Sequence, residues 1–181
     1  MAKSRLLYTT VLGLLGAVIV HICVLFLVSY YTRYSTWEQL QNSSQPYRFQ
    51  SLVPDNPIMK TSDPLFQLAA CYFNLTNGPV HITADGQVPF WSLSLYNHAG
   101  ANIYSLNNRT APNNMLDVII SDPVQIIDFK QAVTDTYENS VLTAQNIDNG
   151  FSILRVLKPS ADWNKQVEAF LASASCKQVN Y

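Results

Sequence analysis

Charge is in short supply in this chain. Lysine, arginine, aspartate and glutamate make up 13% of its 181 residues and leave a net charge of -1, against about 25% charged residues in an ordinary soluble domain. No three basic residues stand in a row. Nucleic-acid binding needs clustered lysine and arginine facing phosphates, so no nucleic acid is expected as a partner. Motifs that announce chemistry are missing as well. There is no phosphate-binding loop, no dinucleotide fingerprint and no G-x-S-x-G elbow. The three cysteines and three histidines lack the paired spacing of a four-ligand zinc site. No two carboxylates are marked out for glycan hydrolysis. No cofactor, metal or catalytic residue is therefore assigned.

What the chain does have is one long uncharged run. Leu6 to Ser29 reads LLYTTVLGLLGAVIVHICVLFLVS, longer than the roughly 20 residues that cross about 30 Å of hydrocarbon as a helix. Thr9 and Thr10 can donate their hydroxyls to carbonyls one turn back, at little cost. His21 and Cys23 read as neutral lodgers in an apolar segment. Lys3 and Arg5 precede the run, and Tyr30, Tyr31, Arg33 and Tyr34 follow it, an interfacial aromatic belt on the far side. The positive-inside rule then places residues 1–34 as a cytoplasmic tip and membrane anchor, with the rest exported. A cleaved signal peptide is the alternative. Its apolar region would be about 7–15 residues long and followed by small residues, whereas VSYYTRY follows here. Gly13 and Gly16 lie three apart rather than four, so no small-xxx-small dimer motif is present.

Residues 35–63 are polar, and Pro46, Pro54 and Pro57 oppose a long helix, so this segment reads as a stalk. Residues 64–181 read as a domain. Leu65–Leu75 is an apolar strand, and Asn77-Gly78-Pro79 a turn. Val80–Thr83 follows, and Phe90–Tyr96 sets Trp91, Leu93 and Leu95 against Ser92 and Ser94 with a period of two. Asn97-His98-Ala99-Gly100 turns the chain into Ala101–Leu106 as a hairpin partner, and Met115–Ile120 is a further strand. Ser121-Asp122-Pro123 starts a helix over 123–133. Strands at 141–147 and 151–157 flank the Asp148-Asn149-Gly150 turn. Ser160 begins a last helix over 161–174, with Trp163, Val167, Phe170 and Leu171 on one face. The order predicts an α+β domain, an antiparallel β-sheet with two short helices on one side.

Two cysteines fall in the exported part, Cys71 in the first strand and Cys176 beyond the last helix. In an oxidising compartment two such cysteines point to a disulfide, closing a loop of roughly 100 residues worth about 4–5 kcal/mol. Two unpaired thiols are the alternative.

The stretch Phe90-Trp91-Ser92-Leu93-Ser94-Leu95-Tyr96, a glycine-containing turn, then Asn102-Ile103-Tyr104-Ser105-Leu106-Asn107-Asn108-Arg109-Thr110-Ala111 resembles the DUF1254/DUF1214 family of uncharacterised proteins. Asp63-Pro64, Cys71, Gly78-Pro79-Val80 and Arg155 resemble its short single-span alphaproteobacterial members. The resemblance covers residues 63–176. Asn108 stands where the family often has aspartate. It implies a β-rich domain held on the bacterial inner membrane and facing the periplasm, without an agreed activity.

Within that frame Arg109, Trp91 and Tyr104 are the candidate binding residues: a guanidinium fork for an anion or carbonyl and two aromatics for a groove. Each has a plainer role, the arginine locking its loop through backbone carbonyls and the aromatics filling the core. His81 and His98 stand alone in the sequence. The expected function is a non-enzymatic binding or scaffold domain. Its partners would be the bilayer, through residues 6–29, and an envelope protein, lipid or glycan. The alternative is an envelope enzyme acting on lipid or peptidoglycan with Arg109 and a histidine in its site.

Overall fold

The computed structural model describes residues 2–52, 63–132 and 137–179. It forms two units, Met1–Thr36 and Trp37–Tyr181, with helix α1 (Ala2–Ser43) running through the end of the first into the second.

In the first unit Lys3–Val28 is long and apolar enough to cross a membrane, and none of it is buried against protein. Its 26 residues span about 39 Å as a helix, more than the about 30 Å of a hydrocarbon core. The threonines bond as their chemistry requires. Thr10 donates its hydroxyl to the Leu6 carbonyl at 2.9 Å, and the Thr9 hydroxyl lies 3.1 and 2.9 Å from the carbonyls of Arg5 and Leu6. The side chains of Arg33 and Tyr34, expected in the aromatic belt, lie outside the described residues.

The second unit is α+β, built on two sheets. Its strands are β1 (Gln50–Leu52), β2 (Phe66–Asn74), β3 (Val80–Ala84), β4 (Trp91–Asn97), β5 (Asn102–Asn107), β6 (Leu116–Ser121), β7 (Val141–Ala144), β8 (Asn149–Leu157) and β9 (Ser175–Gln178). Helices α2 (Gln125–Ala132) and α3 (Asn164–Ser173) complete it. One sheet has the order β1-β2-β8-β4-β5 and the other β7-β6-β3-β9. All neighbours are antiparallel except β6 and β7. A parallel pair needs a long crossover, which the α2 segment supplies.

The strands divide into two sheets because each has one face that must leave water. Cys71 and Phe73 of β2, Trp91, Leu93 and Leu95 of β4, and Leu154 and Val156 of β8 point one way. Val80 and Ile82 of β3, Leu116, Val118 and Ile120 of β6 and Cys176 of β9 meet them, all nearly solvent-free. Val167 and Phe170 of α3 join the same core, with Trp163 and Leu171 against it. Each of these large side chains contributes about 1.5–3 kcal/mol through burial. The outer face of the first sheet carries a second cluster, Leu52, Leu68, Ala70, Phe151 and Ile153, closed by Leu40 and Trp37 of α1. The segment expected as a stalk therefore gives Trp37, Leu40 and Leu52 to the domain's packing, because these are its apolar residues at helical and strand spacing. Residues 53–62 of that segment, with Pro54 and Pro57, lie outside the described residues. On the outer face of the second sheet, Ile119, Phe129 of α2 and Val179 pack together.

The helix starts depart in one detail. Asp122 accepts the Val124 N–H at 2.8 Å ahead of α2, as a capping residue does. Ser160 makes no such bond. A 3-10 turn over Ala161–Trp163 precedes α3 instead.

The expected disulfide is present. Cys71 and Cys176 are bonded, 105 residues apart in sequence and 0% and 2% exposed. It joins β2 of one sheet to β9 of the other through the middle of the core. Replacing both cysteines by alanine is expected to cost about 4 kcal/mol of unfolding free energy, read from denaturant melts. An unchanged midpoint would show that packing alone retains β9.

Candidate functional site

Three separate pieces of the second unit enclose a cleft of about 510 Å³, lined by Trp37, Gln41, Asn97, His98, Asn146, Ile147, Asp148 and Asn149. Each wall is held by bonds of its own. Trp37 sits edge-on to Tyr72, ring centroids 6.0 Å apart, and tilted against Phe151 at 6.2 Å, while Phe151 stacks on Tyr96 at 5.0 Å. The chain after α1 is tied to β2: Tyr47 N–H donates to the Tyr72 carbonyl at 3.0 Å, and Tyr47 O–H to the Asn74 carbonyl at 2.9 Å.

The second wall is the β4–β5 turn. The Asn97 side-chain oxygen accepts the Ala101 N–H at 2.9 Å, and the Asn97 carbonyl accepts the Gly100 N–H at 2.9 Å. Gly100 takes φ +77 there, a conformation that favours glycine. The register of β4 shifts between Leu95 and Tyr96. The extra residue is Ile103 of β5, while β4 keeps its register with β8 through Asn97.

The third wall leaves β7 at Ala144. Gln145 N–H donates to the Ser121 carbonyl at 2.8 Å, and Leu75 N–H to the Asp148 carbonyl at 2.8 Å, so the backbone is committed and the side chains of Asn146, Asp148 and Asn149 are left for the cleft. A strand expected over 141–147 ends early for this reason. Gly150 makes the close approach to β4 feasible. A Cβ there would lie 2.8 Å from the Tyr96 carbonyl oxygen and 2.7 Å from Ile147 Cδ1, inside any real contact.

The candidate residues from the sequence fall elsewhere. Trp91 is 1% exposed, deep in the inter-sheet core, and donates its indole N–H to the Asn114 carbonyl at 3.2 Å. Tyr104 is half-buried against the same core, and desolvation raises its phenol above the ordinary 10.0. Arg109 is exposed, and among the described residues its guanidinium makes no hydrogen bond or ion pair. Its loop is locked by Asn107, whose side-chain oxygen accepts the N–H of Arg109 at 2.9 Å and of Thr110 at 3.2 Å. Asn side chains bond the backbone two residues on in turns, and this marks Asn107 as the locking residue.

The histidines part company too. His98 lines the cleft, at the end of β5 opposite Arg109, and the six residues of β5 span roughly 20 Å. His81 lies on β3 in the other sheet, with Nε2 2.7 Å from Asp117 Oδ1 and its ring edge-on to Tyr137 at 5.1 Å. The structure thus brings neither histidine to Arg109. It does bring His98 and Asp148, far apart in sequence, into one cleft, which that separation concealed. Among the described residues no group of three or more histidine, cysteine, aspartate or glutamate side chains is placed to hold a metal ion.

No family model matches the chain, and no curated protein does. Among solved structures it is similar to the VPA0106 protein from Vibrio parahaemolyticus, with a TM-score of 0.62 at 12% identity, covering 83% of this chain and 34% of that one. It is also similar to an uncharacterised protein from Burkholderia cenocepacia, with a TM-score of 0.49 at 10% identity over 73% of this chain and 34% of that one. At 12% identity the first likeness shows a shared fold. The chain spans about a third of the length of these relatives.

Two measurements check these local readings. Gly150→Ala is expected to lose about 1–3 kcal/mol of stability, the usual cost of overpacking, with chemical-shift changes concentrated at Asn97, His98 and Asp148. A raised folded pKa means that between the unfolded and folded values the folded state holds the extra proton, so stability falls as pH rises past 10. Tyr104→Phe should flatten that fall in alkaline melts.

Proposed function

We propose that this chain is a single-span bacterial envelope protein, anchored by an uncleaved signal anchor with its N-terminus in the cytoplasm, whose domain binds a partner on the periplasmic side of the inner membrane. The observation that carries the binding reading is the chemistry of the cleft. Its polar lining is mostly carboxamide, beside one carboxylate and one imidazole, and carboxamides donate and accept hydrogen bonds without titrating. The apolar Lys3–Val28 helix and the buried disulfide support the envelope location, and Lys3 and Arg5 support the orientation. The motif likeness of residues 63–176 to the DUF1254/DUF1214 proteins adds kinship with a group of equally unassigned activity.

The enzymatic alternative has one observation in its favour, the shared cleft of His98 and Asp148. It ranks second because those two make no hydrogen bond to each other among the described residues and because Arg109 lies at the far end of the hairpin. A photo-crosslinking side chain at Asn146, irradiated in intact cells, should give an adduct that the same group at exposed Lys165 does not. Equal or absent adducts would overturn the binding reading. A phosphatase reporter fused after Tyr181 should be active, and an inactive fusion would reverse the topology.

A further inference from the structure

We infer that the cleft is built for a neutral, polyhydroxylated ring, a saccharide unit of an envelope glycan. The inference rests on the binding reading above and names its ligand.

The lining sorts the candidates by charge and hydrogen-bonding capacity. Four of the eight residues are carboxamides, Gln41, Asn97, Asn146 and Asn149, and no lysine or arginine is among the eight. A phosphate or an anionic headgroup would meet no lysine or arginine and would face the Asp148 carboxylate, losing hydration that the lining replaces poorly. An acyl chain would strip water from the carboxamides and leave them unpaired, at about 1–3 kcal/mol for each buried group. A metal ion would find one carboxylate, and among the described residues no group of three or more histidine, cysteine, aspartate or glutamate side chains is placed to hold it.

A sugar ring matches on each count. Its hydroxyls both donate and accept, as carboxamides do. The Asp148 carboxylate accepts from vicinal hydroxyls in charge-assisted bonds. The C–H faces of the ring need apolar surface, which Trp37 and Ile147 supply. The volume of about 510 Å³ falls within the about 300–1,000 Å³ of small-molecule sites. The cleft is also partly open to solvent, so a polymer can run on beyond one bound unit. All three walls are fixed by backbone bonds before any ligand arrives, which lowers the entropy cost of binding.

The test uses the full chain in nanodiscs and calorimetric titration with three probes: an N-acetylglucosamine tetramer, inorganic phosphate and dodecanoate. The tetramer should bind while the other two do not. Asn146→Ala and Asp148→Ala, both at exposed positions, should each weaken it about tenfold with melting temperatures unchanged, and Trp37→Phe should weaken it less. Failure of the tetramer to bind, or tetramer binding indifferent to the Asn146 and Asp148 variants, overturns the saccharide inference, as does binding of phosphate or dodecanoate in its place. The crosslink at Asn146 separates the two readings. An adduct with protein or lipid and no tetramer binding sinks the saccharide alone, whereas neither adduct nor tetramer binding sinks both.

Discussion

Between the two sheets, Cys71 on β2 and Cys176 on β9 are bonded in a core that excludes water, and the rest of the domain is arranged around that crossing. β9 is a four-residue strand that among the described residues pairs only with β3, so few ladder hydrogen bonds hold it. With its cysteine tied to β2, the chain after α3 returns along β3, and Val167 and Phe170 of α3 face the same core. The same constraint keeps the two sheets face to face, so that Trp91, Leu93 and Leu95 find apolar partners instead of solvent. Such a bond persists where thiols are not kept reduced, so the buried disulfide and the long apolar helix both suggest an envelope location.

The outer faces are where the domain differs from a bare pair of sheets. Trp37 and Leu40 cover one, and Phe129 covers the other. Covering the first face draws the end of α1 to the β4–β5 and β7–β8 connections, and the cleft is the space left where these three meet. At that rim four carboxamides, one imidazole and one carboxylate line the same space.

Much of this architecture was legible in local pattern. The period-two alternation of Trp91-Ser92-Leu93-Ser94-Leu95 is the pleat itself, and the uncharged run through Val28 gives a helix long and apolar enough to cross a membrane. Asp122-Pro123 announced α2, and the spacing of Val167, Phe170 and Leu171 announced the buried face of α3. Less legible were β1 and β9, three and four residues long, whose strand state comes from pairing with β2 and β3 and not from their own composition. The division into two sheets was also hidden, since alternation says that a face is buried and not against which partner.

The candidate site follows the same division. Arg109, Trp91 and Tyr104 stood out because their residue types are chemically conspicuous in a short motif. Once folded, the arginine lies in solvent, Trp91 in the core and Tyr104 half-buried against it. The cleft residues were inconspicuous one by one, and they come from positions 37–41, 97–98 and 146–149. Only tertiary structure could assemble them, because what makes a site is distance between side chains, and distance is set by which sheets pack and which turns close. The sequence alone determined the apolar helix, the α+β class and the pair of cysteines able to bond, since hydropathy, periodicity and thiol chemistry are properties of local residues. Packing decided that the bond crosses between two sheets, and that Trp37, His98 and Asp148 share one cavity.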